Sequence, residues 1–183
     1  MTSTMQRINA HNRVVEFAKN IRASLGGSPR STTVAALAAS IFDDTSSKPV
    51  VTVVYHSTEV VTVHLDDKQR PVKIVLNSGG WHTATTRSRM NAVLSELLRG
   101  LPMYCGVSLD KGEMEFFVRT WHDTVIPALI EGRTEMRETR VYSHSMAPFV
   151  DGLTIHLYKN GKIRSVTDAN GKRLMSVHSR KAA

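Results

Sequence analysis

Cysteine is nearly missing from this chain of 183 residues. Cys105 alone excludes an intramolecular disulfide and any zinc site built on paired thiolates. No apolar run approaches the roughly 18 residues that cross a bilayer, so no membrane association is expected. The opening Met1-Thr-Ser-Thr-Met-Gln-Arg has no apolar core of the kind a secretory signal carries. A lone thiol without such a signal fits a reducing compartment, the cytoplasm. Cys105 itself sits in a strand-like run, Met103-Tyr-Cys-Gly-Val, and reads as a buried, inert side chain. Neither Gly-x-x-x-x-Gly-Lys-Ser/Thr nor His-Glu-x-x-His occurs, which removes the nucleotide P-loop and the zincin helix. His64 with Asp66 and Asp67, or His144 with other histidines, show no recurring ligand spacing. No metal and no cofactor is expected.

What the chain does have is positive charge, unevenly placed. The net charge is +8. From Leu153 onward Lys159, Lys162, Arg164, Lys172, Arg173, Arg180 and Lys181 face one acid, Asp168, so this segment carries +6 and the first 152 residues only +2. Such asymmetry points to a polyanionic partner, nucleic acid first. The remaining composition, 41% hydrophobic and 22% charged, is that of one globular domain with a sizeable core.

The pattern along the chain gives an α+β fold: antiparallel β meanders, a central packed helix and an N-terminal helical arm. Residues 1–47 form the arm, with one helix from about Thr4 to Leu25 and a short Ala-rich helix from Thr32 to Phe42. Residues 48–183 form a single domain in which 121–147 reads as an insertion. The β-branched runs Val50–Tyr55, Val60–Leu65 and Val72–Leu76 predict three strands in meander. Met90, Val93, Leu94, Leu97 and Leu98 recur at the spacing of a helix on a core, and Gly100 with Pro102 stops it. Strands follow near Met103–Leu109 and Met114–Trp121. Asp123–Glu131 reads as a short helix despite Pro127, and Gly132–Met146 gives no clear pattern. Asn160-Gly161 and Asn170-Gly171 predict two type I′ hairpins, in which Leu157 faces Arg164, Ile155 faces Val166 and Val166 faces Met175.

Two sites emerge from the residues. Gly79 and Gly80 lead into the central helix, with Thr83, Thr85 and Thr86 in its first turn and Arg87 and Arg89 beyond. Backbone N–H groups at such a helix start, with hydroxyls and guanidinium groups nearby, suit a phosphate. The competing reading makes the glycines a turn, Thr83 or Thr85 the cap, Trp81 a core plug and the arginines solvated. The nucleic-acid contacts expected are Arg87, Arg89, Lys159, Lys162, Lys172 and Arg173. The second site is a pair of His-x-Thr triplets, His56 with Thr58 and His122 with Thr124. It resembles the paired motifs of two-histidine phosphoesterases, where imidazoles serve as general acid and base. Serine and threonine are common enough here to generate both triplets by chance.

Three stretches share a further likeness. Tyr55-His-Ser-Thr-Glu-Val-Val, Leu76-Asn-Ser-Gly-Gly-Trp-His-Thr-Ala-Thr-Thr-Arg-Ser-Arg-Met-Asn and Phe149-Val-Asp-Gly-Leu-Thr-Ile resemble segments of small proteins of tailed bacteriophages. That group carries a Gly-Gly-Trp-x-Thr-x-Thr-Thr-x-x-Arg-Met/Ile-Asn core between a short hairpin and a Phe-x-Asp-Gly-Met/Leu run. The resemblance implies a phage origin and brings no mechanism with it. The expectation is therefore a small basic phage accessory protein that binds nucleic acid without catalysis. The alternatives are a protein that inhibits or redirects a host factor, and a phosphoesterase acting on oligonucleotides. The N-terminal helices offer a surface for a homodimer.

Overall fold

The computed structural model describes residues 15–23, 25, 32–37, 49–130 and 133–176. A helix, α1, covers 15–23 and buries Ala18 and Ile21. The earlier part of the expected first helix lies outside the described residues. Next comes β1, Thr32–Leu37, then the meander β2 (Val50–Tyr55), β3 (Thr58–Leu65) and β4 (Pro71–Leu76). The helix expected over 32–42 is thus a strand over 32–37. Alanine favours helix when nothing else acts, but Thr32, Thr33 and Val34 suit an extended chain. The open edge of β2 takes all six residues of β1 into an antiparallel ladder, and tertiary pairing overrides a weak local preference. β1 accordingly lies in the same sheet as the strands of 48–183.

The central helix α2 spans Ala84–Leu97. Thr83 caps it, its hydroxyl accepting from Thr86 N, and Met90, Val93 and Leu94 are buried beneath. β5 (Met103–Asp110), β6 (Glu113–Ile130) and β7 (Arg133–Pro148) form a three-stranded sheet, and β8 (Leu153–Leu157), β9 (Ile163–Thr167) and β10 (Arg173–Ser176) complete the larger one. The two sheets run β1-β2-β3-β4-β8-β9-β10 and β5-β6-β7. One core joins them: Val51, Val53, Val61, Ile74 and Leu76 from the large sheet meet Met90 and Leu94 of α2 and Cys105, Val107, Phe116 and Val118 of the small one. Asn91 on α2 reaches the edge of β5, its amide donating to Val107 O at 2.9 Å and accepting from Val107 N at 2.7 Å. A helix side chain there takes the place of a missing neighbour strand. Burial pushes the Cys105 thiol far above its ordinary range, so it stays an unreactive core group.

β6 and β7 run far past β5. The last β5 pair is Met103 with Thr120, while β6 and β7 stay in register out to Ile130 and Arg133. A two-stranded ribbon therefore leaves the body, and the helix expected over 123–131 is part of it. Pro127 is admissible for a topological reason. Trp121 N donates to Pro102 O, so odd-numbered β6 residues turn their nitrogens toward the β5 side. Beyond Thr120 that side is open, and a proline nitrogen needs no partner there.

The C-terminal hairpins keep the expected pairing in mid-strand, with Ile155 opposite Val166 and Val166 opposite Met175. Their tips differ. In Tyr158–Lys162 and Asp168–Lys172 the first residue donates to the carbonyl of the last, and only Gly161 and Gly171 take positive φ. That is a type I turn with a bulge, not the two-residue type I′ turn. The extra residue moves Leu157 opposite Ile163 and leaves Arg164 exposed, which removes a cation from the apolar face. Asp66–Arg70 makes the same turn, with Gln69 at positive φ.

Candidate nucleic-acid interface

The Gly-Gly-Trp loop is held by a carboxylate from far along the chain. Asp151 accepts from Ser78 N at 2.6 Å, Ser78 Oγ at 2.7 Å and Gly80 N at 3.0 Å. Gly79 N donates to Asn77 Oδ1. An anion of the protein's own thus occupies the Gly80 amide where a phosphate was expected. Two of the threonine hydroxyls are also engaged: Thr83 caps and Thr86 is buried against it with the two hydroxyls 3.1 Å apart, while Thr85 accepts from Arg89 at 3.0 Å through its main-chain carbonyl. Arg89 is only 5% exposed, and its guanidinium carbon lies 4.0 Å from the Tyr55 ring centroid. It serves the interior between α2 and β2. Arg87 remains half-exposed on the first turn of α2.

Trp81 does the opposite of plugging a core. It is 67% exposed, while the neighbouring His82 packs edge-on to Phe149 at 6.1 Å. Two anchors hold the loop beneath it, the Asp151 clamp and the close approach of Gly79 to Thr58. Sequence reasoning missed Asp151 as a partner of the loop. The available signal was that the Gly-Gly-Trp core and the Phe149–Gly152 run occur in one likeness, as segments in contact would.

The expected cations divide between two ends of the large sheet. Gly152 abuts Ala169, so the Asp168–Lys172 turn, with Lys172 and the exposed Arg173, lies beside the Asp151 clamp and the Trp81 loop. Lys159 and Lys162 sit on the other hairpin tip, one strand length away, about 16 Å for five residues. That opposite end also holds Leu101 and Met103, against Gly161 and Ile163. Arg180 and Lys181 lie outside the described residues.

Between the ends, Lys73 on β4 stands in register between His64 on β3 and His156 on β8. Burial and then Lys73 lower the His64 pKa; burial, then Arg164 and Lys73, lower that of His156. His156 Nε2 lies 3.3 Å from Thr167 Oγ1. Both imidazoles have folded pKa values below the unfolded one, so their contribution to stability is intact above the usual value of about 6.5 and is lost as pH falls below it. Melting temperatures at pH 7.5 and 5.5 should show this loss, and Lys73→Gln should shrink the difference. An unchanged difference would remove Lys73 from the account.

The two His-x-Thr triplets do not meet. His56 sits in the β2–β3 turn beside the Gly79 end, its ring 4.3 Å from that of Tyr55. His122 and Thr124 lie on the ribbon opposite Val141 and Thr139, beyond the Met103 end. Among the described residues, no three of His, Cys, Asp and Glu gather as a metal set would require. Nor is any described helix long and apolar enough to cross a membrane.

A family model described as Kyanoviridae Gp96 protein matches residues 29–154. The chain belongs to that phage protein family. The Gp96 match runs from just before β1 to the start of β8 and so takes in the Trp81 loop, Asn91, the ribbon and Asp151. Lys159, Lys162, Lys172 and Arg173 lie beyond it. No curated protein and no solved structure matches the chain.

Proposed function

We propose that this phage protein binds single-stranded nucleic acid at the end of the large sheet that carries Trp81, Lys172, Arg173 and Arg87. One observation carries the reading. Asp151 and Gly152 bring the loop that carries the exposed Trp81 and the turn that carries Lys172 to the same end of the large sheet. A base stacks on such a ring and the cations meet the phosphates on either side, which gives affinity without sequence readout. Lys159 and Lys162, at the far tip, contribute only where a longer strand crosses Lys73 and Arg164.

The test is fluorescence anisotropy of a labelled single-stranded oligonucleotide at several salt concentrations. Three phosphate contacts give a slope of log affinity on log salt of about −2 for a single strand. Trp81→Ala should weaken binding about tenfold by removing one stacked base. Lys172→Glu with Arg173→Glu should remove most of what remains, and Lys159→Glu with Lys162→Glu much less. Equal effects at both tips would discard the one-end footprint. An exposed tryptophan also suits a protein partner, and this favours host-factor binding as the second reading. A host protein retained from infected lysate after nuclease treatment, and lost with Trp81→Ala, would decide for it.

A further inference from the structure

The ribbon has two open edges, and they differ. On the β6 side beyond Thr120 the nitrogen of Pro127 faces outward, so no ladder can continue past it. Among the described residues no strand pairs with β7 on its other side, since β7 ends its sheet, and β10 approaches β7 without forming a ladder with it. β7 holds sixteen consecutive pairs with β6 without a register shift, and its only proline is the final residue, Pro148. It has no lysine either. Bulges and prolines are usual guards of an exposed edge, and β7 lacks both up to its last residue; its charges Glu138 and Arg140 are of opposite sign and can pair across a two-fold axis.

The backbone parity fixes which residues face that edge. Phe149 N donates to Met114 O, so even-numbered β6 residues turn their polar backbone groups toward β7. Their partners are the odd-numbered residues of β7. From Thr134 to His144 the even-numbered ones, Thr134, Met136, Glu138, Arg140, Tyr142 and His144, therefore turn N–H and C=O outward. All six side chains are exposed, Met136 and Tyr142 at 68% each.

We infer that this edge pairs antiparallel with the same edge of a second copy, about a two-fold axis through Thr139. Two copies of one strand that pair antiparallel through the same edge place residues of the same parity opposite one another. With the axis at Thr139, Glu138 faces Arg140 of the second copy and Met136 faces Tyr142, each twice by symmetry. Opposite charges and a sulfur–aromatic contact both favour that register. Moving the axis one residue either way sets Glu138 against Glu138 or Arg140 against Arg140, so like charges reject both neighbours. Arg140 already accepts this role inside one chain, with its Nε 2.8 Å from Asp123 Oδ1. In the pair it lies between Asp123 of its own chain and Glu138 of the other. The small sheet becomes one of six strands, β5-β6-β7 continued by β7-β6-β5.

Two-fold pairing makes a charge test that only this geometry passes. The full chain should sediment as a dimer. Glu138→Arg sets Arg140 of each copy against a like charge and should raise the dissociation constant about tenfold, and Arg140→Glu should do the same with acids. An equimolar mixture of the two variants should recover a one-to-one dimer, because every facing pair is then of opposite sign. Independently of charge, Thr139→Cys should form a disulfide-linked dimer under mild oxidation, since two residues at the axis sit about 4.5 Å apart in a non-hydrogen-bonded pair. Arg137→Cys, displaced from the axis, should not, and the buried Cys105 does not compete. The inference fails if the wild-type chain is monomeric at all concentrations, if its dimer survives the single charge reversals, if the mixture stays monomeric, or if Thr139→Cys links no faster than Arg137→Cys.

Discussion

Asp151→Ala is expected to lower the unfolding free energy by about 1–3 kcal/mol, the scale for donors that lose a charged acceptor. Ser78 is buried, and both its N–H and its hydroxyl point at the Asp151 carboxylate; Gly80 N is the third donor. Removing the carboxylate leaves both Ser78 donors without their acceptor; Asp151 is itself exposed, so water reaches part of the vacated place, and Gly80 N keeps Ser78 Oγ at 3.2 Å. Asp151→Asn keeps an acceptor oxygen but turns an amide N–H₂ toward a donor, so its cost should fall near half that of the alanine variant. Urea denaturation with an unchanged slope is the measurement. A loss below about 0.5 kcal/mol for alanine would mean that the clamp fixes the loop without stabilising the fold.

The second large effect separates two adjacent glycines. Gly79 has φ of 61° and Gly80 has φ of 80°, both unfavourable for a β-branched residue. A Cβ on Gly80 would meet nothing within 4 Å, whereas one on Gly79 would lie 2.8 Å from Thr58 Cγ2 and 2.9 Å from Thr58 Oγ1. Gly80→Val therefore carries the backbone strain alone, about 1–2 kcal/mol, and Gly79→Val adds a steric conflict for about 3 kcal/mol or more. Combining Gly79→Val with Thr58→Ala should return the steric part and leave the strain. Additive costs in that pair would show that the two sites do not touch.

The legible parts of the sequence are those where local preference and tertiary demand agree. Val50–Leu76 is β-branched in the rhythm of strands with one buried face, and three strands result. Thr83 offers a cap, the Met90–Leu98 stripe follows at helical spacing, and α2 forms there. Mid-strand pairing in the last hairpins was readable from the positions of Asn160-Gly161 and Asn170-Gly171, because a register shift near each tip leaves Ile155 opposite Val166 and Val166 opposite Met175. The tips were not, since an Asn-Gly pair serves two turn types and only the strand around it selects the bulged one. β1 was hidden because its alanines favour helix in isolation while the free edge of β2 lies distant in sequence. The ribbon was hidden by Pro127, whose compatibility with a strand depends on where β5 ends. In the site, the competing reading placed Trp81 inside and both readings left Arg89 outside, and the structure reverses both. A guanidinium stacked on Tyr55 and a clamp from Asp151 are long-range contacts that no local pattern announces.

The junction of β4 with β8 has a consequence for how the chain is made. Leu76 pairs with Leu153, across all of α2, the small sheet and the ribbon. Every other neighbouring pair in the large sheet joins strands that follow one another along the chain. During synthesis the β1–β4 meander is complete while its β4 edge, with Ile74 and Leu76, still waits for a strand that has not been translated. Closing so long a loop costs more chain entropy than closing any hairpin, so this seam is the slowest contact to gain. Until it closes, Asp151 is not in place and the Trp81 loop has no anchor. The newborn chain thus shows an unfinished sheet edge to its surroundings for the whole time the ribosome spends on the middle of the sequence.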